Sequence, residues 1–299
     1  MHFEWLDWSN PVAVWWCFLI GVSALNVVLL FGLFAISRKS AGGRNVALVI
    51  EPLILLSAAY VFGCAFRSLL PRADVQRICL FNTWLSSVMI GRSVATVAEL
   101  CFAIQWAIVL RELGKVAHSD TARNISRLIV PLIALAECFS WYAVISTNFL
   151  GNVVENSIWT FTFALIAVAL SRLVISFRGI VQWMIAATAM GIAAYVVFMT
   201  TVDVPTYFAR WQAEVAGGTQ FLGFVSGLHD VATRWIVTRN IAQWQDEIAW
   251  MSLYFSFAVW SSLLLGGYGL VRHLVPRFRV GRPLIKATRR PVAIPVRSS

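Results

Sequence analysis

Residues 11–36, PVAVWWCFLIGVSALNVVLLFGLFAI, decide the fold, because the run contains no charge and almost no polar group. A helix of that length, at 1.5 Å per residue, reaches about 39 Å, more than the ~30 Å hydrocarbon core of a bilayer. The uncharged interval is wider still and extends from Asp7 to Arg38. We read Val12 to Ile36 as a first membrane-spanning helix.

The pattern repeats along the chain. Arg44 and Arg67 bracket a second run, interrupted by Glu51 and Pro52, and Arg92 and Arg111 a third that contains Glu99. Arg127 to about Ile145 forms a fourth, with Glu137 inside. Glu155 to Arg172, Arg178 to Asp203 and Glu247 to Arg272 complete seven. The expectation is an all-α polytopic membrane helix bundle of about seven transmembrane helices. The fifth run is short and spans only with Asn156 and Ser157 at the interface. Ile78 to Gly91 is apolar but too short, and reads as a re-entrant or interfacial segment.

Composition agrees. Of 299 residues, 59% are apolar and 13% charged, against roughly 25% charged in soluble domains. The mean hydropathy is +0.75. A soluble enzyme, a disordered chain and a disulfide scaffold are excluded together. Cys17, Cys64, Cys79, Cys101 and Cys138 are odd in number and lie in or beside apolar runs, the pattern of buried thiols, with Cys64–Cys79 the one pairing worth testing.

The cations set the orientation. Seventeen Lys/Arg fall in segments 37–45, 111–127, 172–179 and the tail 272–299, and seven fall on the other side. Cytoplasmic loops carry the excess, so the N-terminus is expected outside and the tail in the cytoplasm of a cell-membrane protein. Two domains follow: a helical domain over 1–271 and a basic, proline-containing tail over 272–299. MHFEWLDWSN lacks the basic region of a signal peptide, so the first helix is expected to be retained. The tail carries no interleaved aromatics, which argues against nucleic-acid binding; membrane lipids and other membrane subunits are the expected partners.

Pro205 to Glu247 is the longest external stretch and too apolar for a free loop. Tyr207, Phe208, Trp211 and Val215 share one helical face, and Phe221, Val225, Leu228 and Trp235 do nearly the same after Gly217-Gly218. This predicts two amphipathic helices lying as an external cap over 205–247, with the glycine pair as elbow.

Charge inside hydrocarbon is costly, so ionisable groups within the spans are candidates for function. Glu137 falls near mid-membrane, Glu99 in the outer half, and Glu155, Asp203, Asp246 and Glu247 at the outer rim, where water can solvate them. Glu137, Trp141 and Asn148 share a face of the fourth helix, with Ser140 beside them; Glu155 and Trp159 share a face of the fifth. On the third, Arg92 and Glu99 share a stripe, so Arg92 can turn to neutralise acidic charge. The expected ligand-binding set is Glu99, Glu137, Ser140, Trp141, Asn148, Glu155, Trp159 and Asp203, with Glu137 as candidate acid–base catalyst.

The layout is similar, in topology alone, to microbial rhodopsins and alkaline-ceramidase-like hydrolases. Lys39, Lys115 and Lys286 lie outside the spans, so no retinal Schiff base forms, and no HxxxH pair is present to hold zinc. His2, His118, His229 and His273 are too scattered for a haem or di-iron site. Carboxylates remain the groups that would meet a hard cation, and no cofactor is assigned. An outward pocket for an amphiphilic ligand (a lipid, isoprenoid or lipid-linked sugar) is the first functional expectation. A proton- or cation-coupled transporter and a non-catalytic subunit of a membrane assembly are the alternatives.

Overall fold

A computed structural model describes residues 8–40 and 44–268, with only the backbone for 39–40 and 44–51. The cationic tail, Glu4, Asp7 and the Glu51 side chain lie outside the described residues. Among those described, seven helices are long and apolar enough to cross a membrane, and the protein is a multi-pass membrane-type helical bundle. Helices α1 (Pro11–Ser40), α2 (Arg44–Leu69), α3 (Val88–Val116), α4 (Asp120–Ser146) and α5 (Phe149–Val174) pack in chain order, each against the next. α6 (Ile180–Phe198) packs along α5. The seventh span, α9 (Ile241–Leu253) continued by α10 (Val259–Gly266), returns to α1, α2 and α3.

Short connections force adjacent spans to be antiparallel neighbours. Thr147 in the left-handed region ends α4, and Asn148 caps α5 by accepting from the Leu150 amide at 2.9 Å. The fifth helix therefore begins at Phe149, and the short span expected from Glu155 is corrected: Glu155 lies inside the helix, two turns from its start. Gly151 lets this hairpin close, since a Cβ there would stand 2.6 Å from that of Ala143.

Two spans widen into a π-turn, Met199–Asp203 and Tyr254–Ala258. Such turns disrupt the regular ladder and often sit at functional sites. The second is held by Asn26, which donates to the Phe255 carbonyl at 2.8 Å and accepts from Trp260 Nε1 at 3.0 Å. Deeper in the bundle, Gln105 bonds Ser57, the Leu53 carbonyl and Ser262, tying α2, α3 and α10.

One end of the bundle is capped. Strands β1 (Arg72–Ala73) and β2 (Ile78–Cys79) form an antiparallel hairpin, and β3 (Ile236–Val237) adds to β2 in parallel. Ile78–Gly91 thus consists of a strand, a 3-10 turn at Trp84–Ser86 and the start of α3. Helices α7 (Val204–Ala216) and α8 (Phe224–Thr233) flank the cap, with Gly218 at φ +69 turning the chain between them. α7 runs on from α6 through the π-turn and packs on α5, and none of its residues is fully buried, so it is a surface helix continuous with the sixth span.

Two buried arginines hold the cap. Arg77 donates to Asp230 at 2.7 Å and to the carbonyls of Asp74 and Val144, so it fastens the hairpin to α8 and α4. Arg72 donates to Asp74 at 2.8 Å and to the Ser87 carbonyl at 2.6 Å. Burial lowers the Arg72 pKa to about 10, partly countered by Asp74. Burial works against the Asp74 carboxylate too, yet Arg72, Arg67, Arg92 and Arg77 outweigh it and hold its pKa below the ordinary 3.8.

Candidate functional site

Arg92 and Glu99 are seven residues apart on α3, two turns, and so share a face. α4 brings Glu137 to that face, and the tight α4–α5 hairpin sets Glu155 beside it. Arg92 Nη2 lies 2.8 Å from Glu99 Oε2, 2.7 Å from Glu137 Oε2 and 3.6 Å from Glu155 Oε1. All four side chains are buried. Removing charges from water costs several kcal/mol per ion, so three carboxyl groups around one guanidinium form an expensive arrangement.

Neutral donors complete the cluster. Thr96 donates to Glu137 at 2.6 Å and accepts from Trp141 Nε1 at 3.1 Å. Tyr254, the first residue of its π-turn, donates to Glu99 at 2.9 Å. Asn152 donates to Glu155 at 3.2 Å. An oxygen from each of Glu99, Glu137 and Glu155 lies within 4.8 Å of the others, a spacing suited to a metal ion, but Arg92 already offers all three a cation of the protein's own. Fully ionised, the group carries a formal charge of −2.

A cavity of about 100 Å³ opens beside this cluster. Arg92, Glu99, Glu155 and Tyr254 contribute its wall on one side. Arg67 contributes from the last turn of α2, Arg72, Asp74 and Gln76 from the cap, and Tyr207, Glu247 and Trp250 from the α7 and α9 side. Further into the bundle the core turns aromatic. Tyr60 stacks on Phe102 at 4.8 Å between ring centres, Phe102 stacks on Phe163 at 6.3 Å, and Trp106 meets both phenylalanines edge-on.

The structure brings together Glu99, Glu137 and Glu155, with Trp141 reaching Glu137 through Thr96 and Ser140 buried one turn along the same face of α4. Other expected residues stand elsewhere. Asn148 is occupied as the cap of α5. Trp159 stacks on Phe163 at 5.8 Å, and the described cavity wall includes Trp250 but neither Trp141 nor Trp159. Asp203 accepts from Asn156 at 2.6 Å, and Asn156 is the one of that pair that reaches the wall. Glu137 stands behind the wall. The rim carboxylates Glu155, Asp203 and Glu247 are buried rather than solvated, because Arg92, Asn156, Gln76 and Arg210 give them partners.

Sequence reasoning missed Asp74, Gln76, Trp250 and Tyr254, read Tyr207 only as part of the cap, and counted Arg67 and Arg72 only among the seven cations of the outer side. The Arg92–Glu99 spacing was a local signal; Tyr254 approaches from a helix 155 residues away in sequence and leaves none. Compared with protein-family models, curated proteins and solved structures, the chain matches none.

Proposed function

We propose that this membrane protein receives the small polar, cationic end of an amphiphilic ligand in the cavity beside Glu99 and Glu155. One observation carries the reading: three buried carboxyl groups converge on a single guanidinium at the wall of a cavity. A surplus of negative charge away from water is what an ammonium group neutralises. Size narrows the ligand. Pockets for whole drug-sized molecules run to about 300–1,000 Å³, so about 100 Å³ suits a small amine head group better than a sugar. In this reading the tail of the ligand stays in lipid.

Glu99 and Glu155 meet the head group directly. Glu137, behind the wall, is the candidate acid–base group of any reaction on it, exchanging a proton with the head group through Glu99 rather than by direct contact, so Glu137→Gln keeps folded yield and abolishes turnover. The capped end faces outward across a cell membrane, following the seventeen-to-seven distribution of Lys/Arg.

The carboxylate surplus would also serve a cation- or proton-coupled transporter. The aromatic layer of Tyr60, Phe102, Phe163 and Trp106 weighs against that reading, because its rings pack between the carboxylate cluster and the neutral Gln105–Ser57–Ser262 network, where no described carboxylate continues the path. Native mass spectrometry of the full chain in nanodiscs of mixed phosphatidylethanolamine and phosphatidylglycerol tests the proposal. Wild type retains the amine lipid preferentially, and the Glu99→Gln/Glu155→Gln variant loses that preference. Equal retention by wild type, or an unchanged preference in the variant, overturns it. A gradient-driven flux of small cations into proteoliposomes would favour the transporter instead.

A further inference from the structure

The cavity wall takes Tyr207 from α7 and Glu247, Trp250 and Met251 from α9. The seam between these two helices therefore runs alongside the site. Their backbones belong to different neighbourhoods, since α6 and α7 pack on α5 while α9 packs on α1. Side chains bridge them. Arg210 of α7 reaches Asp246 at 2.9 Å and Glu247 at 3.5 Å on α9, and lies over the rings of Phe149 and Tyr207 at 5.6 and 5.3 Å. Both helices bordering the seam carry a π-turn near the site, ending at Asp203 on one and beginning at Tyr254 on the other. Exposed apolar side chains of the seventh span, Leu253 and Phe257, stand on the same helical stripe as Asp246.

We infer that the ligand reaches the cavity sideways, from the lipid, through the seam between α7 and α9, and that Glu247 receives its cationic head group first, in exchange for Arg210. This rests on the head-group reading above and adds the source of the ligand, a membrane-borne amphiphile, together with the residue that admits it. The physical logic is one of replacement. Glu247 is buried and holds Arg210 loosely at 3.5 Å, with Gln76 donating to it at 3.2 Å. An arriving ammonium substitutes for one charge by another, so the carboxylate is never left bare. Arg210 keeps Asp246, which is exposed, as its alternative partner. Buried charge stays paired throughout, which is the condition for moving charge through a low-dielectric seam.

The test needs no ligand, so its failure is separable from failure of the head-group reading. Met251 lines the cavity and is buried. Met251→Cys, in a background with the five native cysteines replaced, is reconstituted in vesicles and treated with a long-chain alkyl maleimide confined to lipid, or with a charged, water-soluble thiosulfonate. Removing the latch with Arg210→Ala raises the alkyl-maleimide labelling rate at least fivefold and leaves the thiosulfonate rate unchanged; Arg210→Lys labels as the parent does. Trp250→Cys provides the same readout should Met251→Cys fold poorly. Unchanged labelling in both positions shows that Arg210 gates nothing, and a rise with the water-soluble reagent alone shows that the cavity opens to water; either result overturns the inference. A selective rise with the alkyl reagent, in a protein that shows no preference for amine lipids, would retain the portal and reject its proposed cargo.

Discussion

Arg72 and Gly91 occupy the same space by turns: a Cβ at position 91 would fall 1.1 Å from Arg72 Nη2. Glycine there gives room on α3 for a guanidinium that is 1% exposed and ties the β-hairpin to the Ser87 carbonyl. Gly91→Ala therefore expels Arg72 from its seat, leaving Asp74 and the Ser87 carbonyl with a displaced partner. Breaking a buried pair costs about 3–5 kcal/mol, and we expect a loss of that order, read as a lower midpoint of thermal unfolding in detergent. Because the two residues act as a unit, Arg72→Met/Gly91→Ala is expected to lose clearly less than the sum of the single changes. Full additivity would show that the close approach carries no energy.

Arg92 is the cation on which three carboxyl groups depend. Arg92→Met leaves them facing one another in a buried site, with an expected cost of about 3–5 kcal/mol. Adding Glu137→Gln removes one of the mutually repelling charges while the carboxamide oxygen still accepts from Thr96. The double variant should recover part of the loss, about 1–2 kcal/mol, within the range of coupling between contacting residues. Unfolding of the two single variants and the double variant in one detergent gives the coupling directly. If Arg92→Met unfolds as wild type does, the carboxyl groups do not depend on the guanidinium.

Much of this architecture was legible beforehand, and the reason is physical. Lipid solvates whole faces of a helix, so each span appears as a run rather than a periodic stripe, and seven runs yielded seven helices. Ends were harder to place. Glu155 read as the start of the fifth span because a carboxylate ordinarily marks water; the structure buries it beside Arg92, and the true start is the Asn148 cap, whose short polar side chain resembles any loop residue. The two-residue strands of the cap have no periodicity to detect. Likewise the π-turns depend on tertiary partners such as Asn26, which in sequence is one polar residue in an apolar run. Within the site, the convergence of Glu99 and Glu137 was foreshadowed by cost, since charge in hydrocarbon needs a reason to persist, and by the Arg92–Glu99 spacing on one helix. The links from Tyr254 and Gln76 arise only when distant spans meet.

Stability should vary with pH through Asp74, which lies outside the spans, in the cap. Its folded pKa is depressed below the ordinary 3.8, burial being outweighed by Arg72, Arg67, Arg92 and Arg77. A depressed acid binds protons more weakly folded than unfolded, so its contribution is fully present above the unfolded value and is lost as pH falls through the folded one. Wild type is therefore expected to lose stability below pH 3.8, as Asp74 takes up a proton and Arg72 and Arg67 lose their counter-charge. Asp74→Asn removes that contribution at every pH, so its deficit relative to wild type is greatest near neutrality and narrows as the solution is acidified past 3.8. Unfolding midpoints of both proteins across pH 3 to 7 decide the matter. A deficit that stays constant over this range would mean that Asp74 acts through its shape and hydrogen bonds, and that the arginines of the cap draw their compensation from elsewhere.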